Sequence, residues 1–119
     1  MKKYVSTIIF ISIIVISVLM GVSADELGMV SQILATKFIT NEAVAFGMPE
    51  FMMLSANCKA MMTIALCGFA GIGSIGILIG SYQAIAPNKV KVVARIGFKA
   101  LIVATLVNIM TAAVVGIIL

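Results

Sequence analysis

The sequence predicts an all-α integral membrane protein with about three transmembrane helices plus one re-entrant helical hairpin, the middle span being broken at a glycine-rich stretch. Three observations predict it. Hydrophobic residues make up 63% of the 119 residues, charged residues only 10%, and mean hydropathy is +1.29. Soluble domains draw about a quarter of their residues from the charged types, so the lipid bilayer and neighbouring helices must solvate most of this chain. The uncharged residues also fall into long runs, and the few charges gather between them.

Residues 4–24 form an uncharged run of 21 residues between Lys2 and Lys3 on one side and Asp25 and Glu26 on the other. At about 1.5 Å per residue the run reaches about 30 Å, enough to cross the hydrocarbon core. Residues 1–26 are therefore read as an N-terminal transmembrane helix. A second reading stands beside it: a basic start, an apolar middle and Val22, Ser23 and Ala24 ahead of Asp25 also fit a cleaved secretory signal.

Residues 27–58 are apolar but interrupted by Lys37, Asn41, Glu42, Gly47, Pro49 and Glu50, and neither half is long enough to cross. Two short helices meeting at a polar tip, a re-entrant hairpin, satisfy this pattern. Irregular backbone at membrane depth is tolerated where protein or a watery cavity satisfies its polar groups. Residues 60–88 are a second uncharged run, carrying Gly68, Gly71, Gly73, Gly76 and Gly80 and closed by Pro87 and Asn88. The glycines mark either close helix packing or a break in the helix. In the final helix, 91–119, Lys91, Arg95 and Lys99 fall at i, i+4 and i+8 and put a basic stripe on its first turns. Residues 100–119 then supply the last crossing.

Charge placement gives an independent reading of the topology. Basic segments flanking membrane helices tend to stay cytoplasmic. With Lys2 and Lys3 inside, the first helix leads out and Asp25 and Glu26 lie outside. If 27–58 does not cross, the second span returns inward and Lys89, Lys91, Arg95 and Lys99 arrive inside, as the rule prefers. The N-terminus is then cytoplasmic and the C-terminus outside. A crossing hairpin would put the basic cluster on the wrong side.

Several function classes are excluded by what the chain lacks. The net charge of +4 comes from eight dispersed basic residues with no interleaved aromatic platform, so no nucleic-acid partner is implied. There is no histidine, no paired-carboxylate constellation and no nucleophile beside a base, which argues against an enzyme. Cys58 and Cys67 are nine apart with no CxxC pair, so neither a metal site nor a disulfide framework is suggested, and no cofactor is expected. Gly71, Gly73 and Gly76 match GxGxxG, but the flanks are a continuous apolar helix and no acidic residue follows about 20 positions on. The adjacent pairs Met52, Met53 and Met61, Met62 read as gap-filling packing. Gly76 with Gly80, and Ala112 with Gly116, have the small-xxx-small spacing that permits close helix approach.

Polar groups inside apolar segments carry the functional signal. An ionisable residue in a membrane segment costs about 2.5–3.5 kcal/mol on insertion scales and usually faces a cavity or a partner. Glu42, with Asn41 beside it, offers acceptors and amide donors suited to sugar hydroxyls. The competing reading places Glu42 at a wet hairpin lip or paired with Lys37. Phe69, Gly71 and Ser74 lie in the glycine-rich stretch, where a break would free backbone groups beside an aromatic face and a hydroxyl. Discontinuous helices of that kind often form transporter substrate sites.

At these residues the chain resembles the concentrative nucleoside transporters. The segment 37–45, with Asn41 and Glu42 followed by a short apolar run, is similar to their second re-entrant hairpin. Segments 63–70 and 74–77 resemble their broken seventh helix, and Ala86 and Pro87, the basic stripe and 110–117 resemble their final helix. The resemblance covers residues 21–119, so that 27–119 reads as the C-terminal region of such a transporter (27–58 hairpin, 60–88 broken helix, 91–119 final helix). It implies cation-coupled nucleoside symport, usually with sodium, across the plasma (inner) membrane by a homotrimer. It implies that Glu42 accepts ribose hydroxyls, that Phe69 and Ser74 line the nucleoside site, and that Asn41 shapes the hairpin tip. The family commonly has Asn at the position of Gly71. Nothing in this chain corresponds to the first hairpin or the fourth helix, which in the family carry base recognition and the sodium site. The expectation is therefore a C-terminal portion that supplies the ribose side and needs a partner N-terminal half. The alternative is a small membrane interaction protein or an inactive remnant.

Overall fold

The ends of the helices fall where the sequence removes the option of continuing. The computed structural model describes residues 2–68 and 71–119, and among them it contains seven α-helices, one 3-10 turn and no strand. Helix α1 (Lys2–Leu19) has 18 residues, shorter than the uncharged run that encodes it. It stops because Gly21 takes φ 84°, a left-handed conformation that Gly adopts without a Cβ penalty. Gly21 N–H then donates to Val18 O at 2.9 Å and Val22 N–H to Ser17 O at 3.2 Å, the paired bonds of a Schellman cap.

α2 (Leu27–Ile39) buries Val30, Ile33, Leu34 and Lys37, the i, i+3, i+4, i+7 face of one helix. The chain returns in two single-turn helices, α3 (Glu42–Phe46) and α4 (Pro49–Met53), rather than one. Met48 precedes Pro49, which pushes it to an extended conformation (φ −70°, ψ 138°), while Pro49 suits the first helical position. Phe46 and Phe51 bridge the gap edge to face, with ring centroids 5.2 Å apart. Phe51 takes the buried side of α4, so Met52 and Met53 stand exposed. They are not packing residues here, in contrast to Met61 and Met62, which are.

α5 (Ala56–Cys67) starts four residues ahead of the predicted second run because Ser55 caps it: its Oγ accepts from the Cys58 N–H. Cys58, Met61, Met62, Ala65 and Leu66 form its buried stripe. After α5 the backbone leaves helical geometry. Gly68 (φ −80°, ψ 132°) and Gly71 (φ −126°, ψ 152°) are extended, and α6 (Ile72–Ile85) begins beyond them. Both readings of the glycine-rich stretch apply: the helix is interrupted between Gly68 and Gly71, and Gly68 is also a close-packing position, since a Cβ there would overlap the Asn108 side chain. α6 ends at Ile85 because Ala86 precedes Pro87, which opens the 3-10 turn Pro87–Lys89. α7 (Val90–Ile118) follows as a single 29-residue helix.

α7 lies along α5 and α6, while α1 packs on α2, and α2 on α3 and α4. The core is one cluster in which Val30, Ile33 and Leu34 of α2 meet Met61, Met62 and Leu66 of α5, with Ile13, Met20 and Ala112 at its edges. Ala112 is fully buried, and Gly116 one turn on brings α7 against Met61 Sδ and the Met20 carbonyl, so that small-residue pair is used in packing. Gly76 and Gly80 have open space beside them. Glu26 ties the start of α2 to the start of α5. Its carboxylate accepts from the backbone N–H and hydroxyl of Ser55 and from the hydroxyl of Ser23.

Much of the surface is apolar. Residues 56–85, interrupted as described, and 87–118 are long and apolar enough to cross a membrane. Val92, Ile96, Ile102, Leu106, Met110 and Val114 of α7 are exposed, as are Ile72, Ile77 and Ile85 of α6. Such continuous apolar exposure suits a hydrocarbon surrounding or neighbouring helices.

Candidate functional site

The hairpin tip and the start of α6 meet at a cleft. Thr40 ends α2: its N–H donates to Thr36 O at 2.8 Å and its hydroxyl to the same carbonyl at 2.6 Å. Asn41 is extended (φ −163°, ψ 172°) and caps α3, its Oδ1 accepting from the Val44 N–H at 2.9 Å. That bond fixes the side chain and leaves the amide NH2 as its available donor. Glu42, half-buried, is the first residue of α3.

Across from this tip, the start of α6 lies close to the end of α2 at Gly71 and Gly73. A Cβ at Gly73 would lie 3.4 Å from the Thr40 carbonyl oxygen, and one at Gly71 would lie 3.6 Å from that of Lys37. The two elements enclose a cleft of about 380 Å³ lined by Thr40, Asn41, Glu42, Gly71, Gly73, Ser74, Ile77, Leu78 and Ser81. Ligand pockets usually measure about 300–1,000 Å³ and combine an apolar wall with a few placed polar groups. Here the polar groups are a carboxylate, an amide and hydroxyls, and the apolar wall is Ile77 and Leu78.

Of the four site residues expected from sequence, Asn41, Glu42 and Ser74 line this one cleft, although Ser74 is separated from the other two by more than thirty positions. Phe69 lies outside the described residues. The competing reading of Glu42 paired with Lys37 is met only in part: no direct ion pair joins them, but the Glu42 carboxylate acts electrostatically on the Lys37 ammonium. Lys37 is buried, and its Nζ donates to the Ala65 carbonyl at the end of α5. Sequence reading missed this contact. A signal for its burial, though not for its partner, was present, since Lys37 shares the 3.6-residue periodicity of Val30, Ile33 and Leu34 and so belongs to a buried face. It also missed Asn108, a polar residue in the middle of α7 whose side chain lies directly against Gly68.

A chain with long apolar helices, one interrupted by extended glycines beside a polar cleft, has the build of a membrane transport protein. Comparison with known proteins specifies it further. Residues 3–116 match the family model described as Na+ dependent nucleoside transporter C-terminus. The chain is 35% identical over 102 residues to the putative nucleoside permease NupX of Escherichia coli, covering 82% of this chain and 24% of the relative. It is 35% identical over 118 residues to human solute carrier family 28 member 3, covering 85% of this chain and 17% of the relative. Among solved structures it is similar to CNTnw N149L in the intermediate 2 state, with a TM-score of 0.80 and 33% identity over 92% of this chain and 28% of the other. It is also similar to CNTnw in an inward-facing substrate-bound state, with a TM-score of 0.72 and 36% identity over 82% of this chain and 26% of the other. The chain therefore belongs to the concentrative nucleoside transporter family, a family of membrane transporters rather than enzymes, and corresponds to its C-terminal region. It spans 17–28% of the length of these relatives.

Proposed function

We propose that the chain is the C-terminal portion of a sodium-coupled nucleoside transporter of the plasma membrane, and that it supplies the ribose-facing side of the substrate site. The observation that carries this reading is the convergence of Asn41, Glu42 and Ser74 from two separate elements on one cleft, in a chain of this family. The ribose hydroxyls donate to the Glu42 carboxylate, and hydrogen bonds to an ionised acceptor are roughly twice as strong as neutral ones. Where bound substrate displaces water from the cleft they strengthen further. The Asn41 amide and Ser74 hydroxyl orient the sugar, and Phe69, by the family resemblance, lines the nucleoside site. The base side, the coupling-ion site and the trimer scaffold come from the remaining part of a family transporter. The non-crossing hairpin 27–58, with crossings at 1–26, 60–88 and 91–119, holds the tip at membrane depth.

The test is uptake of labelled uridine in cells lacking nucleoside transport, with this chain expressed together with the N-terminal portion of a family transporter. Sodium-dependent uptake is expected to require both parts, and Glu42→Gln is expected to lower it by about 100-fold, since removing one member of a charge-assisted pair costs about 2–3 kcal/mol. Uptake that is absent with both parts present, or that survives Glu42→Gln unchanged, rejects the reading.

A further inference from the structure

Lys37 touches both sides of the helix break. It lies on the buried face of α2 and is 2% exposed. Its Nζ donates to the carbonyl of Ala65, 28 positions away. Ala65 is in the last turn of α5, among the four carbonyls that a helix terminus leaves without an intrahelical donor. A cation there also meets the negative end of the helix dipole. The same residue's own carbonyl oxygen lies 3.6 Å from the Cβ position of Gly71, where α6 is about to start. Its side chain thus holds the end of one half-helix and its backbone abuts the start of the other. Asn41 and Glu42 follow within five residues, across the single cap residue Thr40.

A buried ammonium costs several kcal/mol to desolvate, and a hydrophobic residue at this position would continue the stripe of Val30, Ile33 and Leu34 without that cost. Stability alone does not call for a lysine. We propose that Lys37 is a positioning residue that locks the hairpin tip to the broken helix, so that Glu42 and Asn41 remain opposite Ser74. Its importance for transport rests on the function proposed above, while the lock itself does not.

The experiment therefore has two readouts. In the full chain with Cys58→Ala and Cys67→Ala, cysteines introduced as Thr40→Cys and Ser74→Cys are joined by a short bis-methanethiosulfonate in membranes. The crosslink is expected to form, to be lost on adding Lys37→Met, and to be kept with Lys37→Arg, whose guanidinium can still donate to Ala65. A crosslink untouched by Lys37→Met overturns the proposal. Should Lys37→Met fail to insert, amine acylation of the unsubstituted chain decides instead. Lys37 is expected to stay unmodified while the exposed Lys89, Lys91 and Lys99 react, and acylation of Lys37 at their rate overturns the lock. For transport, Lys37→Met is expected to raise the uridine KM about tenfold with little change in maximal rate, and Lys37→Arg to restore most of it. An unchanged KM in Lys37→Met overturns the positioning role. Absence of uptake by the unsubstituted chain counts against the transport function alone, and the crosslink then settles the role of Lys37.

Discussion

Gly71 shows how far a single position can be read from its surroundings. Its backbone is extended (φ −126°, ψ 152°), a conformation open to any residue, and a Cβ there would meet the Lys37 carbonyl at 3.6 Å and Ser74 Oγ at 3.9 Å, both ordinary contacts. The site accepts a side chain that would enter the cleft beside Ser74. Gly71→Asn, which introduces the residue common in the family, is expected to lower the uridine KM by up to about tenfold through one added hydrogen bond. A KM that rises instead would show that the cleft is already filled at Gly71 when substrate binds. Asn41, Glu42 and Ser74 were legible in the sequence because polar groups in apolar segments are expensive and therefore conspicuous. The partner of Lys37 was not, because periodicity gives the face on which a residue lies and says nothing about which carbonyl, 28 positions away, that face will meet.

At the scale of elements, the helix ends were largely readable and the junctions were not. Gly68 and Gly71, Ala86 ahead of Pro87, and Met48 ahead of Pro49 mark their breaks locally, in the chemistry of one or two residues. The early stop of α1 depends on Gly21 adopting φ 84°, which an apolar run does not reveal. The α5–α7 contact depends on Asn108 lying where a Cβ of Gly68 would be. Gly68→Ala is thus expected to destabilise the protein by about 1–3 kcal/mol, the usual cost of overpacking. Adding Asn108→Ala should recover most of that loss. Thermal unfolding in detergent would show it as a lowered midpoint restored in the double variant, and purely additive losses would argue against the contact. Glu26 makes a second junction, and its titration can be followed. The backbone N–H of Ser55, helped by the Ser55 and Ser23 hydroxyls, holds its carboxyl below the ordinary carboxylate value. A lowered folded-state pKa gives stability that is complete above the ordinary value of 4.5 and is lost as pH falls through the lower folded value. The residue is half-buried, with solvent still in reach of the carboxylate, so the effect is modest. Melting midpoints measured below pH 5 should fall less in Glu26→Gln than in the unsubstituted chain, and parallel curves would sink the assignment.

For the whole molecule, α7 offers the sharpest constraint on how the chain sits in a bilayer. Its 29 residues extend about 43 Å against a hydrocarbon core of about 30 Å, so about nine residues must project beyond it. Its last 19 residues, 100–118, are uncharged, whereas Lys91, Arg95 and Lys99 occupy the first turns. The projecting end is therefore the N-terminal one. Those three cations border a cleft of about 460 Å³ and are exposed, as groups at a headgroup surface would be. On the topology proposed above, the preference of cations for the cytoplasmic face puts the start of α7 inside and Leu119 outside. With Lys2 and Lys3 also inside in that proposal, the number of crossings is odd. That is met if α1, the interrupted 56–85 and α7 cross while α2, α3 and α4 turn back. Alkaline phosphatase fused after Leu119 is accordingly expected to be active, and green fluorescent protein at the same place to be dark. Replacing Lys91, Arg95 and Lys99 together by Gln should lower the phosphatase signal by weakening the orientation signal, without changing the amount of protein made. A bright C-terminal fluorescent fusion would mean an even number of crossings. The hairpin would then have to span the membrane, and Glu42 could not face the cleft from within a turned-back tip.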